Sequence, residues 1–279
     1  MKTIIKNPVL GAIAGDMIGA PYEFLRYGVA VAPDFPLWSK ESRFTDDTVM
    51  TLAVAQWLLD RPLNSNHLIE CMQELGKRYP NAGYGGHFRT WLREDHPVPY
   101  NSWGNGSAMR VSPVGCAFNS REAVEVVAEM SAAVSHNHPE GIKGAQAIAH
   151  IIRFYLREGN SELNNNIWVK SVIQNIAPDY NLDRTPQEIR DAGYTFKVSC
   201  QESVPEAICC FINSNSYEQT VREAVLLRGD TDTQAAMAGS IAAAYWGIPK
   251  DIADSALNRL PKTLLDILEK FSKQYNLDI

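Results

Sequence analysis

Gly229-Asp230-Thr231-Asp232-Thr233-Gln234-Ala235-Ala236-Met237-Ala238-Gly239-Ser240-Ile241-Ala242-Ala243-Ala244 is the stretch on which the fold turns. Ala dominates its second half, and no proline or period-two alternation interrupts it, so it reads as a helix. Its small side chains allow a neighbouring helix to approach closely, and the expected neighbour is the helix that follows Asp47. The acidic head is a different matter. Residues two apart do not share a helix face. Asp230 and Asp232 therefore converge only if the backbone is still a turn there, with the helix starting at Thr233 and Gly229 supplying an unusual backbone angle.

A second cluster, Thr45-Asp46-Asp47-Thr48, lies far upstream and also runs into an Ala-, Leu-, Val- and Met-rich segment. Thr and Asp at a helix N-terminus cap free N–H groups and complement the dipole. A cap needs one such residue, however, and adjacent carboxylates repel. Brought together, the two clusters would set four carboxylates and several hydroxyls on one wall of a cleft. Like charges at that density are costly unless a positive charge sits among them. All-oxygen ligands point to Mg²⁺ or Mn²⁺ and away from zinc.

Outward from these clusters the signals are helical. Three-and-four apolar spacing and cap residues predict helices over 8–20, 46–59, 66–78, 120–135, 140–158, 165–176, 185–193, 203–213, 216–227, 233–246, 249–258 and 261–274. Pro205, Pro249 and Pro261 are expected near helix starts, where a missing N–H costs little. No strand pattern competes, so the class is all-α. Residues 21–44 and 79–119 read as long loops, which in a compact domain are usually functional. No low-complexity linker divides the chain, which reads as one domain over 1–279.

The net charge of -6 and pI near 5.6 argue against a nucleic-acid-binding surface. Cys71, Cys116, Cys200, Cys209 and Cys210 have no metal-type spacing and read as buried free thiols of a reducing compartment. Lys2 and Lys6 before Val9-Leu10-Gly11-Ala12-Ile13-Ala14 loosely mimic an export signal, but the apolar stretch stops at Asp16. No segment nears the ~20 apolar residues of a membrane span. A cytoplasmic location is expected.

Asn101-Ser102-Trp103-Gly104-Asn105-Gly106-Ser107-Ala108-Met109-Arg110 is a third chemistry-bearing segment. Its glycines would let backbone amides approach a phosphate. Trp103 offers a flat face for a base and Arg110 a charge; as a bare sequence it is also an ordinary Asn-Gly turn. Ser135-His136-Asn137-His138-Pro139 is weak for zinc, with two His two apart and no thiol nearby, and could instead supply a substrate contact. Gly83-Tyr84-Gly85-Gly86-His87 could serve as a lid or as an exposed connector.

Taken in order, Gly15-Asp16-Met17-Ile18-Gly19-Ala20-Pro21-Tyr22-Glu23, the 45–48 cluster, Gly104-Asn105-Gly106-Ser107-Ala108-Met109-Arg110, His136 and the 229–233 cluster form a specific set. The chain resembles the ADP-ribosylglycohydrolase family over nearly its whole length. The resemblance implies a compact single-domain orthogonal helix bundle with a metal-lined cleft holding two Mg²⁺ (Mn²⁺ possible). It implies hydrolysis of the bond between C1″ of ADP-ribose and an acceptor. Thr45, Asp46, Asp47, Asp230, Asp232 and Thr233 match the family's metal set. Glu23 matches an acidic residue near the metals, and is the candidate general base, expected to be ionised beside two cations. Ser102, Gly104, Asn105 and Gly106 match the loop that holds the diphosphate and distal ribose. Trp103 matches an aromatic against the adenine, and His136 a ligand contact. Asp16 is expected to order the first helix and its loop. Some arginine-specific bacterial members carry an acidic residue where this chain has Ser102.

The expected partner is an ADP-ribosylated protein or a small ADP-ribose conjugate, with nucleic acid only as a modified substrate and no membrane. The alternative from another class is a non-catalytic ADP-ribose or nucleotide sensor on the same fold. A prenyl-diphosphate enzyme is disfavoured, because Met50 stands where an Asp-Asp-x-x-Asp pattern needs its third acid.

Overall fold

The first and last parts of the chain meet at its centre. In the computed structural model, which describes residues 3–25, 29–60, 62–158 and 165–279, helix α1 (Pro8–Gly19) packs along α13 (Thr231–Tyr245). Asn7 caps α1 by accepting from the Leu10 amide, and Pro8 occupies the first turn, where it leaves no hydrogen bond unmade. Gly11, Gly15 and Gly19 then form a side-chain-free stripe one residue per turn. A methyl group at Gly15 would lie 2.1 Å from the carbonyl oxygen of Ala235, and one at Gly19 2.4 Å from that of Thr231. The two backbones are thus in direct contact. This corrects the sequence expectation that the helix after Asp47 would be the close neighbour of α13. Small residues on one helix do not name their partner, and the glycine stripe of α1 does.

Around this pair stand α2 (Asp46–Leu59), α3 (Ser65–Arg78), α7 (Arg121–Ala133), α8 (Pro139–Arg157), α9 (Asn165–Ile176), α10 (Pro186–Asp191), α11 (Cys200–Ile212), α12 (Tyr217–Leu226), α14 (Lys250–Leu257) and α15 (Lys262–Tyr275). They enclose one contiguous apolar core. The expected all-α class holds, as do the long helices, to within a few residues at each end. The segment 79–119 is not a bare loop. It contains α4 (Gly86–Trp91), α5 (Gly106–Met109) and α6 (Ser112–Ala117), each too short to show a helical period. A two-residue antiparallel pair, β1 (Ile4–Ile5) with β2 (Ile248–Pro249), was equally illegible. Pro205 sits inside α11, not at its start, because that helix begins at Cys200.

All five cysteines are buried free thiols. The segment 8–19, weighed as a signal-like stretch, is instead the central helix, buried throughout. Among the described residues no helix is long and apolar enough to cross a membrane.

Candidate active site

The two acidic clusters meet where α2 and α13 begin side by side. Thr233 Oγ1 donates to Asp47 Oδ2 at 3.2 Å, joining residues 186 positions apart in the chain. Helix α13 starts two residues earlier than expected, at Thr231, with Asp230 at the cap position. The Asp230 side chain makes no capping bond; it accepts from Asn105 Nδ2 at 2.8 Å. Asp232 lies in the first turn and accepts from the Thr233 amide at 2.9 Å. Convergence of the two acids thus comes from one residue at the cap and one just inside the helix. The unusual backbone angle falls on Arg228 (φ 62°), not on Gly229. Gly229 is needed for space, since a Cβ there would lie 2.5 Å from Gln234 Oε1.

At the other cluster Thr45 does cap α2, accepting from the Asp47 amide at 3.3 Å. Asp16 holds this cluster in place. One Asp16 carboxylate oxygen accepts from Thr45 Oγ1 at 2.8 Å, and the other from the amides of Thr45 (2.9 Å) and Thr48 (3.1 Å) and from Thr48 Oγ1 (2.5 Å). These bonds all go to the head of α2, so the Asp16 side chain clamps that head, whereas the sequence expectation placed its role in the first helix and its loop. Thr45 Oγ1, giving its proton to Asp16 and accepting one amide, keeps one lone pair free.

The donor set suits a hard divalent cation. Asp47 Oδ1 is buried without a hydrogen-bond partner. Glu23, Asp230 and Asp232 each bring an oxygen to within 4.8 Å of the others. Burial, then the charge of Asp232, pushes Asp16 up to about 7, Asp46 up to about 8 and Glu23 up to about 9. The same two causes hold Asp47 and Asp230 well above the usual carboxylate range. Desolvation with mutual repulsion on this scale is what cation binding offsets.

Glu23, Asp46, Asp47, Asp230 and Asp232 line one end of a cleft of about 670 Å³, within the size range of small-molecule sites. The cleft wall also includes Ser102, Trp103, Gly104, Asn105, Gly106 and His136. Every predicted site residue except Thr45 lines it, and Thr45 lies immediately behind, beside Asp47. Trp103 is 47 % exposed at the rim. The amide cradle is smaller than the glycines suggest. The Gly104 amide is taken by Ser102 Oγ at 3.1 Å and the Asn105 amide by the Val198 carbonyl at 2.8 Å. Arg110 borders the cleft but is not exposed in it: its guanidinium is buried, donating to the Ser131 carbonyl and Ser135 Oγ. His138 separates from His136 and caps α8, its Nδ1 accepting from the Glu140 amide. The 83–87 segment is exposed except at Tyr84, and it borders the cleft. Tyr84 is buried, and Gly83 (φ 113°) runs so close to Asp46 that a Cβ would sit 3.2 Å from its carboxylate.

The family model for ADP-ribosylglycohydrolases matches residues 5–277. The chain belongs to the ADP-ribosylglycohydrolase family. Membership makes it an ADP-ribosyl hydrolase. It is 28% identical to human ADP-ribosylhydrolase ARH3, over 85% of this chain and 84% of that protein. It is 26% identical to ADP-ribosylarginine hydrolase Tri1 of Pseudomonas putida, over 87% of this chain and 70% of that one. Its fold is similar to a solved ADP-ribosylglycohydrolase-related protein complex, with TM-score 0.68 and 20% identity over 97% of this chain and 98% of the other.

This ADP-ribosylglycohydrolase carries further cleft residues that sequence reasoning missed. Phe24, Tyr100, Phe196 and Val198 line the same space. The strip 198–200 runs antiparallel to 103–105, with the Cys200 amide donating to the Trp103 carbonyl at 2.9 Å. Phe196 stands 6.4 Å from Phe24, centroid to centroid, so exposed aromatic rings continue along the rim from Glu23's neighbour. A solvent-exposed Phe in an irregular stretch was the only available signal.

Proposed function

We propose that this hydrolase is metal-dependent and cleaves the C1″ bond between ADP-ribose and an acceptor on a modified protein or small conjugate. The observation that carries this is the 3.2 Å contact of Thr233 with Asp47 at one end of a cleft whose other wall is an aromatic rim. Two Mg²⁺ or Mn²⁺ ions held by Thr45, Asp46, Asp47, Asp230, Asp232 and Thr233 would supply Lewis-acid contacts to the distal ribose hydroxyls and the reacting oxygen. Asp16 keeps the 45–48 head rigid, and Asn105 holds the Asp230 carboxylate in one orientation. Glu23, its charge offset, accepts the proton of the attacking water as the C1″ centre gains oxocarbenium character. Ser102 and the 104–106 loop would face the diphosphate, and Trp103 the adenine.

The deciding experiment measures release of free ADP-ribose from a panel carrying ADP-ribose on arginine, on serine, as the O-acetyl ester, as poly(ADP-ribose) and on a nucleobase. Release is expected with Mg²⁺ or Mn²⁺ and not with chelator. Binding of ADP-ribose with no release from any member would favour a sensor, and full release after exhaustive chelation would remove the metals.

Two further outcomes follow from the geometry. Trp103→Ala is expected to weaken ADP-ribose binding roughly 5- to 150-fold by calorimetry, the ~1–3 kcal/mol of a base on an aromatic face, with the thermal midpoint unchanged. The acids set a pH signature too. Asp16, Asp46 and Glu23 have folded-state values above their ordinary ones, about 7, 8 and 9 against 3.8, 3.8 and 4.5. Their contribution to stability is therefore full below the ordinary values and is lost as pH rises through the folded ones. The chelated protein is expected to lose thermal stability from about pH 4 to about pH 9, and Mg²⁺ to raise the midpoint more at the upper end. An equal Mg²⁺ effect at both ends would count against these acids as its ligands.

A further inference from the structure

His136 is nearly enclosed, 5 % exposed, with its ring 5.8 Å from Tyr100 and 6.3 Å from Phe88. Its two nitrogens face different surroundings. Nε2 points to the binding loop: a Cβ on Gly106 would lie 2.9 Å from it, and one on Gly104 3.5 Å. Nδ1 points back into the protein and lies 2.8 Å from Ser135 Oγ. Ser135 is fully buried, and its hydroxyl is also 3.0 Å from Arg110 Nη2.

The proton on each of these atoms follows from donor chemistry. A guanidinium has donors only. Ser135 Oγ therefore accepts from Arg110, and its single proton goes elsewhere. Among the described residues the one acceptor within reach of it is His136 Nδ1. With Nδ1 accepting, a neutral imidazole carries its proton on Nε2, the atom that faces the loop. Two further facts keep the ring neutral. Arg110 has no carboxylate partner among the described ion pairs, so its charge is not cancelled beside the ring. Burial and that charge together hold His136 well below the usual imidazole range.

We propose that Arg110 and Ser135 are positioning residues that lock His136 as the Nε2–H tautomer, giving the cleft a fixed hydrogen-bond donor for a ligand oxygen. His136 is then neither the general base nor the general acid. Its part in ligand binding rests on the hydrolase reading above; the placement of the proton does not.

The test uses the full chain labelled with ¹⁵N-histidine, with no ligand added. Long-range ¹H–¹⁵N correlation spectra distinguish the two tautomers and the imidazolium, and the His136 signals are assigned by their loss in His136→Gln. The expected result is a single Nε2–H pattern that does not titrate between about pH 5.5 and about pH 8.5, although a free imidazole would. Ser135→Ala is expected to give mixed or titrating signals, and Ser135→Thr, which keeps the hydroxyl, to restore the locked pattern. ADP-ribose affinity is expected to fall roughly three- to tenfold in Ser135→Ala, about the effect of one misplaced hydrogen bond, and to recover in Ser135→Thr. An Nδ1–H pattern, a midpoint near the ordinary value in the wild type, or an unchanged spectrum in Ser135→Ala would overturn the relay. If Ser135→Ala does not fold, the wild-type spectrum decides alone. A locked Nε2–H spectrum in a protein that does not bind ADP-ribose would sink the hydrolase reading and leave the relay standing.

Discussion

Asp232→Asn is expected to lower ADP-ribose release at least ~100-fold by loss of metal positioning, while making the chelated protein more stable. The two effects have one origin. Asp232 is the neighbouring charge that weighs most, after burial, on Asp16, Glu23, Asp46, Asp47 and Asp230. Asn keeps the size and can still accept from the Thr233 amide, which Asp232 Oδ1 holds at 2.9 Å. It removes the charge. At about pH 8, relief of repulsion should raise the thermal midpoint by some 2–4 °C per kcal/mol recovered, and Mg²⁺ should no longer add much. Stability gained as function is lost marks a site kept strained for its chemistry. A residue that served only the helix start would do the opposite, so a drop in midpoint with normal turnover would return Asp232 to a capping role.

Glu23→Gln separates proton transfer from cation binding. Glu23 ends the short turn Ala20–Tyr22 that continues α1 and comes within reach of both Asp230 and Asp232. Nearby, Arg228 donates to the carbonyls of Leu25 and Val29. The Glu23 side chain lines the cleft. Gln can fill the space but cannot take a proton from water at neutral pH. Hydrolysis is expected to fall at least ~100-fold, the range of general-base loss, with ADP-ribose binding within about tenfold and the fold intact. Near-normal turnover would move the base to another oxygen of the cluster. Collapse of ADP-ribose binding together with Mg²⁺ binding would make Glu23 mainly a ligand.

Much of this was legible because chemistry leaves local marks. Four hydrophilic residues in a row at 45–48 exceed what a helix cap needs, and the repeat of that excess at 230–233 pointed to one shared site. Long helices announced themselves by period. What stayed hidden was pairing in space. Nothing in Ala235–Ala244 says that Gly11, Gly15 and Gly19 will lie against it, although the four-residue spacing of those glycines was visible. Gly229 looked like a backbone hinge, but Arg228 adopts the left-handed angle, because the crowding beside Gly229 comes from Gln234 and Tyr194, remote in sequence or folded back upon it. Arg110 looked like a ligand contact because an arginine in a glycine loop usually faces outward. Its burial under the loop is matched by bonds to Ser131 and Ser135, one at the end of α7 and one just past it, which give no sign of their role in the sequence.

The backbone contact of α1 with α13 also orders events during synthesis. The glycine stripe of α1 is made more than 200 residues before the surface that covers it. Contacts this far apart in sequence form slowly and leave apolar surface open until they do. A nascent chain stopped before residue 230 holds Thr45, Asp46 and Asp47 but none of Asp230, Asp232 and Thr233, and α1 has nothing to close upon. Catalytic competence therefore arrives in one step, once α13 has been made, and chains terminated before it are expected to be both inactive and prone to capture by chaperones.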